Sequence, residues 1–530
     1  MRQKLLLALL VVVAVAAVAF RFAMSRSDTA AAPPAVASQQ LLSDLMAMRD
    51  AEKIADRHER CLAYPDLPGV VWDKSVVQAY CDLMLRKAMS LYEIDDALKR
   101  GEIETLRQTF DGYLQRNYEN GQHGFLTWAI NHAFAYEASL DVADRWVKAD
   151  PNSAFALLAR GTAYAARAGL ARGNKFARDT SEDQFERMHE FAAKAVDDLN
   201  ESVHRSHRLI AAYNEMFVIA QMTGDDDLRA QSVRRALALD PADQWTYDRW
   251  SDAVEPKWGG SIGEMSDIAD RAMKHADDNP LLKRMPARPY CAEANTLEVC
   301  QSCGSTADRA TRAMKFYMQA ASVAPAACMI NEAGATAERA GDYESAVRIY
   351  SQSFRFSGDL QPLFRRSVAL RHLGQEELAL ETIDVAERAQ PNNPMAFVNK
   401  GWIYQEDHKP QEAEKSFLAA VAIDRDNREA NTELVMLYTT SLNQFDKGKA
   451  IVDRMMSEDP NNPRAWLLSA VLDHGKDDKH CKVVLEKYLA LVDREKADSY
   501  EQRDIDRATA RVKELTAQEE KTAAAPSATK

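Results

Sequence analysis

Positive charge is what this sequence is short of. Its 67 lysines and arginines face 80 aspartates and glutamates, leaving a net charge of −13. That balance is the opposite of the footprint that phosphate-backbone binding requires, so nucleic acid is not an expected partner. Catalytic signatures are missing as well: there is no GxSxG, no Walker-type GxxxxGK[ST] and no GxGxxG. The nearest approach to a metallohydrolase helix, His189-Glu190, has Ala193 where HExxH needs its second histidine. His204 and His207 lie one helical turn apart and read as helix-surface residues. The acidic runs Asp225-Asp226-Asp227 and Asp477-Asp478 read as solvated turns that start helices. No cofactor and no metal are expected.

Long apolar runs are scarce too. The exception is Leu5 to Phe20, with Arg2 and Lys4 before it and Arg21 after it. The run is slightly short for a span of about 20 residues, and reaches Met24 if Arg21 snorkels to the interface. Residues 1–24 are therefore a signal anchor or a signal peptide. Small residues at Ala35-Val36-Ala37 lie far from the run and those at Ala17-Val18-Ala19 lie inside it, which favours an uncleaved anchor. The flanking charges place the N-terminus in the cytoplasm. The expected location is the periplasmic side of the bacterial inner membrane, or the periplasm or exterior if the signal is cleaved.

Cysteines number seven: Cys61, Cys81, Cys291, Cys300, Cys303, Cys328 and Cys481. Six fall into a pair and a cluster of four, a grouping that suits disulfides in an oxidising compartment. The expected pairing is Cys61–Cys81, Cys291–Cys300 and Cys303–Cys328. A four-thiolate zinc site is the rival reading of the cluster, because Cys300 and Cys303 have the spacing for one tetrahedral metal. The same pair reads as a redox motif, although no βαβ pattern surrounds it.

What fills the rest of the chain is helical periodicity. Residues 25–40 form an Ala, Pro and Ser-rich tether, 41–90 an N-terminal helical cap and 91–300 an irregular helical-repeat domain. Residues 301–326 are a connector and helix, 327–480 a set of repeats, 481–517 capping helices and 518–530 a disordered tail. In the repeats, Ala346, Ala379, Ala413 and Gly448 recur at steps of 33, 34 and 35 residues. Four residues after each stands a large apolar residue: Tyr350, Ile383, Phe417 and Val452. In the preceding helix of each unit Gly334, Ser367 and Gly401 recur, and only Val435 breaks that column. Small residues facing large ones allow two helices to approach closely.

The unit Phe397-x3-Gly401-x2-Tyr404, then Ala413-x3-Phe417-x2-Ala420, resembles a tetratricopeptide repeat. Four consecutive matches in register, with a fifth degenerate unit from Pro463 carrying Trp466 and Ala470, imply a solenoid with a concave surface. The expected fold is therefore all-α: a helical-hairpin repeat solenoid with an irregular helical N-terminal domain and an N-terminal signal or anchor. In this family the concave groove is lined by set positions of each first helix. Carried onto this register they include Phe364, Val368, Arg371, Val398, Trp402, Gln405 and Met436, an apolar stripe with one cation. That set lacks the basic clamp of the carboxylate-binding grooves and suits an apolar or amphipathic segment, while Trp402 and Phe364 read equally as ordinary inter-repeat core. Pro256-Lys257-Trp258-Gly259-Gly260-Ser261, with Trp128-Ala129-Ile130-Asn131-His132 and Ala159-Arg160-Gly161, resembles an uncharacterised bacterial family found alone or beside tetratricopeptide repeats in exported proteins. In that hexapeptide the paired glycines are expected to turn the chain while Trp258 packs between helices.

The expected function is a scaffold for protein–protein interaction in the envelope, with a protein or peptide partner and membrane contact through the anchor only. The alternatives are an enzyme with its site in the N-terminal domain around His123, His132, Trp128 and Trp258, and a structural spacer.

Overall fold

The computed structural model describes residues 37–118, 122–173, 179–325, 328, 330–473, 477–494 and 499–524. The predicted anchor and nearly all of the predicted tether lie outside the described residues. Among the described residues every regular element is helical, and no helix is long and apolar enough to cross a membrane.

Three helices open the chain: α1 (Gln39–Glu52), α2 (Arg57–Ala63) and α3 (Lys74–Met84). The next region runs through α4 (Leu91–Arg100), α5 (Ile103–Asn117), α6 (Phe125–Phe134) and α7 (Leu140–Ala149). A long hairpin follows, α8 (Ala154–Arg172) and α9 (Glu182–Arg205), then α10 (Ile210–Thr223), α11 (Asp226–Leu239), α12 (Gln244–Ala253) and α13 (Ile262–Met273). From there the chain is a regular succession of hairpins: α14 (Arg288–Val299) with α15 (Thr306–Val323), α16 (Ile330–Arg339) with α17 (Tyr343–Ser357), and α18 (Gln361–His372) with α19 (Glu376–Ala389). It continues with α20 (Pro394–Glu406) and α21 (Pro410–Ile423), α22 (Arg428–Thr440) and α23 (Phe445–Glu458), α24 (Pro463–Asp473) and α25 (Asp478–Leu491), and ends on α26 (Ser499–Ala524).

The column of small residues in the second helices extends past its four expected members at both ends, into a unit before them and into the expected fifth unit after them. Ala313 stands 33 residues before Ala346, and Cys481 stands 33 residues after Gly448. Their partners four residues on, Tyr317 and Leu485, are buried like Tyr350, Ile383, Phe417 and Val452. Six hairpins are therefore in register, from α14 to α25. Cys481 is explained by this column: it is a buried thiol at the small-residue position. α25 thus belongs to the last hairpin, and α26 alone covers its apolar face through Ile505, Ala508 and Leu515. α26 continues to Ala524, so residues 518–524 are helical where a disordered tail was expected. Their Glu, Lys and Ala content favours helix, and Lys482 pairs with Glu519 at 2.6 Å.

The contacts behind the columns are direct. A Cβ on Gly334 would lie 2.4 Å from the Tyr350 ring, and one on Gly401 would lie 2.4 Å from the Phe417 ring. Where the first helix carries Val435 instead of glycine, its second-helix counterpart is the smaller Val452, and both are buried in one cluster. Large faces small in each unit, in either order. The irregular half follows the same rule: a Cβ on Gly161 of α8 would meet Leu199 of α9 at 2.7 Å, and Ala195 precedes Leu199 by four residues. The expected insertion around residues 170 to 190 lengthens this hairpin, giving helices of 19 and 24 residues.

Each unit also repeats its ends. Asn393, Asn427 and Asn462 sit before the first helices of their units, and their side chains accept from backbone N–H groups two or three residues on. Between the two helices a residue in the left-handed region recurs: Gly341, Gly374, His408 and Asn443. The following N–H reaches back to a carbonyl of the last turn at 2.8 to 2.9 Å in all four units, which terminates the first helix.

The N-terminal helices do not stay with the region that follows them. They lie on the second-helix side of the repeats some 300 residues away. Arg366 of α18 donates to Glu52 at 2.5 and 3.2 Å, Tyr64 donates to the same carboxylate at 2.8 Å, and Arg366 also reaches Ser351 at 3.1 Å. All four groups are buried. Arg355 of α17 donates to the Cys61 carbonyl and to Asp66, both at 2.8 Å, while Gln352 donates to the Pro65 carbonyl at 2.7 Å. Leu41, Leu45 and Met48 complete the seat against the core of α16 to α20. The predicted cap is thus a cap on the second and third of the six hairpins.

Three disulfides are present. Cys61–Cys81 joins α2 to α3 as expected. The other two correct the expected pairing: Cys291 bonds Cys328, and Cys300 bonds Cys303. An antiparallel hairpin brings its two outer ends together, so Cys291 at the start of α14 meets Cys328 beyond the end of α15. The tip holds the other pair, with Cα atoms 5.4 Å apart. The four sulfurs therefore pair two by two and do not converge as a zinc site would need. In the chain-entropy account, loops of 20 and 37 residues stabilise the fold by roughly 3 and 4 kcal/mol, whereas the three-residue spacing at the tip contributes less than about 2 kcal/mol.

Candidate interaction groove

With the second-helix side of the first units covered by α1 to α3, the first-helix side of the array remains. Three positions per first helix were expected to line it. Val368, Trp402 and Met436 form one column and are all half-buried. Arg371, Gln405 and Thr439 form the next and are half-buried as well. The third column differs from expectation: Phe364 is 7% exposed and Val398 is 0% exposed, and both belong to inter-repeat core. The equivalent position in α22 is the half-buried Thr432, which accepts from Arg464 at 3.1 Å. Large apolar side chains at this boundary turn inward, while a hydroxyl stays at the edge. Five of the seven expected groove residues therefore share an accessible face, and two lie beneath it.

The electrostatics of that face are mixed. Arg371 pairs with Glu406, and Lys400 reaches Asp384 at 2.9 Å and Glu387 at 3.5 Å. Arg365 bridges Glu338 and the Tyr350 hydroxyl. Burial pushes the Glu338 carboxyl above its usual range in spite of Arg365. His372 stacks on Tyr343 at 4.3 Å, and its imidazolium is disfavoured by burial and by Arg371. One polar group in the middle of the face goes unused: the Gln405 side chain makes no hydrogen bond among the described residues. The Trp402 indole N–H also has no acceptor among them, but it is buried beneath the face, where the ring packs on the core of its unit.

The histidines and tryptophans of the enzyme reading have other roles. His123 is buried, its Nδ1 lies 2.8 Å from Asp240, and it also bonds the Asp278 backbone. Burial opposes its protonation, but the Asp240 and Asp243 carboxylates outweigh that and raise its pKa above 6.5. Around it Gln244 donates to the His123 carbonyl at 2.7 Å, and Asn279 ties Gln244 to Ala242. Asp243 accepts from Asn214 and Thr246, and burial raises its pKa. This is a polar tie between the turn before α6 and the helices α10 and α12. His132 is exposed and stacks on Trp128 at 5.3 Å. Trp258 is 62% exposed rather than packed between helices, with the Lys257 amino group 5.8 Å from its ring. The expected role of the glycines does hold: Gly259 has a φ of 91°, and a Cβ on Gly260 would meet the Val254 carbonyl at 2.2 Å. Among the described residues no three of His, Cys, Asp and Glu assemble a metal site.

Residues 404–472, from the end of α20 to α24, match the tetratricopeptide repeat family. This stretch carries the close-packed Phe417, the left-handed turns at His408 and Asn443, and Met436 of the groove. The crystal structure of yeast Tom70 is similar over 81% of this chain and 95% of its own, at 10% identity and a TM-score of 0.35. The APC/C hetero-tetramer Cut9–Hcn1 is similar over 78% of this chain and 95% of that chain, at 12% identity and a TM-score of 0.25. No curated protein sequence matches this chain.

What the sequence reading missed is the docked N-terminal segment. Glu52, Arg355 and Arg366 look like surface charges in the sequence. The available signal was α17, which carries Ile349 and Phe356 off its Ala346–Tyr350–Phe354 face and so is apolar on more than one side.

Proposed function

We propose that this chain is a helical-repeat scaffold for protein–protein interaction in the bacterial envelope. The first-helix face of α18, α20 and α22 takes an apolar or amphipathic segment of a partner protein. The observation that carries the reading is the continuous column Val368, Trp402 and Met436 across three consecutive units, beside the Gln405 carboxamide, which has no partner among the described residues. An amphipathic segment has what such a face lacks: apolar side chains for the column and polar groups for the carboxamide. Envelope location rests on the apolar run at residues 5–20, the three disulfides, which suit an oxidising compartment, and the likeness of the PKWGGS-bearing half to exported bacterial proteins.

Trp402→Ala is the direct test. As an interface hot spot, Trp402 contributes about 2 kcal/mol or more to affinity, with little change in melting temperature. As a core residue only, its loss would appear as destabilisation of about 3 to 5 kcal/mol, with binding changed no more than unfolding explains. The first outcome supports the groove and the second removes it.

A further inference from the structure

The disulfide at the tip of the α14–α15 hairpin is not explained by stability. Cys291–Cys328 already closes that hairpin at its base across 37 residues, and Cys300–Cys303 closes a loop of sequence separation 3. Cys61 and Cys81 are buried completely, while Cys291, Cys328, Cys300 and Cys303 are half-buried; the tip pair differs from the base pair in the exposure of the residues around it. Around the tip, Val299 is 76% exposed, and Gln301, Ser302, Gly304 and Ser305 are exposed too.

The surroundings also distinguish the two sulfurs. Arg312 donates to the Cys303 carbonyl at 3.0 Å, and Arg309 donates to the Gly304 carbonyl at 2.8 Å. Two guanidinium groups are thereby held on the Cys303 side of the turn. Cys303 also lies just before Ser305, whose side chain caps the 18-residue helix α15. These cations and the helix end favour a thiolate on the Cys303 side of the turn, against the Asp308 carboxylate held there by Ser305, so Cys303 is assigned as the leaving group.

We propose that Cys300–Cys303 is a thiol–disulfide exchange site acting on a protein partner that carries two cysteines. A partner thiolate attacks Cys300 Sγ, a partner–Cys300 disulfide forms, and Cys303 leaves as a thiolate. The second partner thiolate then attacks the partner sulfur of that mixed disulfide, closing a disulfide in the partner and releasing the Cys300 thiolate. Two electrons pass from the partner to this chain, and the two thiolates take up the protons that the partner thiols gave up. The reverse sequence, with a partner disulfide and the reduced pair, restores the Cys300–Cys303 bond. The site is separate from the groove and does not depend on it.

The test uses the full chain in folded form. Treat it with graded reduced glutathione, quench with acid, alkylate and map each cysteine by mass spectrometry. The Cys300–Cys303 bond is expected to open at least about ten-fold faster than the other two, which stay closed. Next, offer a reduced peptide with two cysteines. Wild type is expected to form one peptide disulfide per chain, and the Cys300→Ser/Cys303→Ser variant none. Reduced Cys303→Ser, given a disulfide-activated peptide, is expected to hold it on Cys300, where reduced wild type releases it. The double variant should melt at the wild-type temperature, because the base disulfide remains. The proposal is overturned if the tip bond opens no sooner than Cys291–Cys328, if the double variant oxidises the peptide as fast as wild type, or if removing the pair lowers the melting temperature substantially.

Discussion

Gly401 is the position where the packing rule can be measured. It lies inside α20, where glycine costs about 1 kcal/mol relative to alanine, so on helix propensity alone Gly401→Ala would stabilise the protein. The geometry says otherwise: the added Cβ would lie 2.4, 2.6 and 2.7 Å from three atoms of the Phe417 ring, which is fully buried. Relieving that overlap costs about 1 to 3 kcal/mol, and the net effect of Gly401→Ala is a loss of up to about 2 kcal/mol. Phe417→Leu alone loses about 1 to 2 kcal/mol by leaving space. In the double variant the new methyl occupies part of that space, so the two losses should fall short of additivity by about 1 to 3 kcal/mol. Gly112 in α5 is the control: a Cβ there meets nothing within 4 Å, so Gly112→Ala should gain about 1 kcal/mol. Because a solenoid does not unfold as one unit, the assay is amide hydrogen exchange of α20 and α21 beside urea unfolding of the whole chain. Additive losses, or a gain from Gly401→Ala matching that from Gly112→Ala, would refute the reasoning.

Arg366→Ala leaves the Glu52 carboxylate buried without its cation, and should destabilise the protein by about 3 to 5 kcal/mol in thermal or urea unfolding; Glu52→Leu/Arg366→Met should lose much less. His408→Gly replaces a non-glycine residue at a φ of 55° and should stabilise by about 0.5 to 1 kcal/mol, whereas His408→Val should destabilise. His123 has its pKa raised by Asp240 and Asp243, so the stability it adds is fully present below pH 6.5 and is lost as pH rises through its folded value. The stability difference between wild type and His123→Ala should shrink above pH 6.5, and the His123 ring should titrate above 6.5 by NMR; a midpoint below 6.5 would contradict the assignment.

The repeat array was legible because its signal is local. A small residue and a large one four positions on share a helix face, and their recurrence at 33 to 35 residues needs no knowledge of distant contacts. The same rule covers one unit that escaped notice and the second helix of the degenerate fifth. Ala313 and Tyr317 follow a longer turn filled with cysteines, and Cys481 is not an obvious small residue until its burial is seen. The seat of α1 to α3 was not legible, since Glu52 and Arg366 are 314 residues apart in the sequence and nothing in either marks it as buried. In the groove, register placed Val368, Trp402 and Met436 together. It could not tell that Phe364 and Val398 turn inward, because a position at the edge of a core is decided by the side chain that fills it. The cysteine pairing failed for a geometric reason: an antiparallel hairpin joins its outer ends and closes its tip on itself, whereas the expected pairing linked each end to the tip.

The most direct test of the scaffold reading is photo-crosslinking in intact cells that express the full chain. A photoreactive residue replaces Gln405 on the groove face, and in a second strain it replaces Leu418, which is 45% exposed on α21. The account predicts a defined partner crosslinked from position 405 through an apolar or amphipathic segment. It predicts no such product from 418, and loss of the product in Trp402→Ala with the melting temperature unchanged. Equal crosslinking from both positions, or a loss that merely follows unfolding, would contradict it.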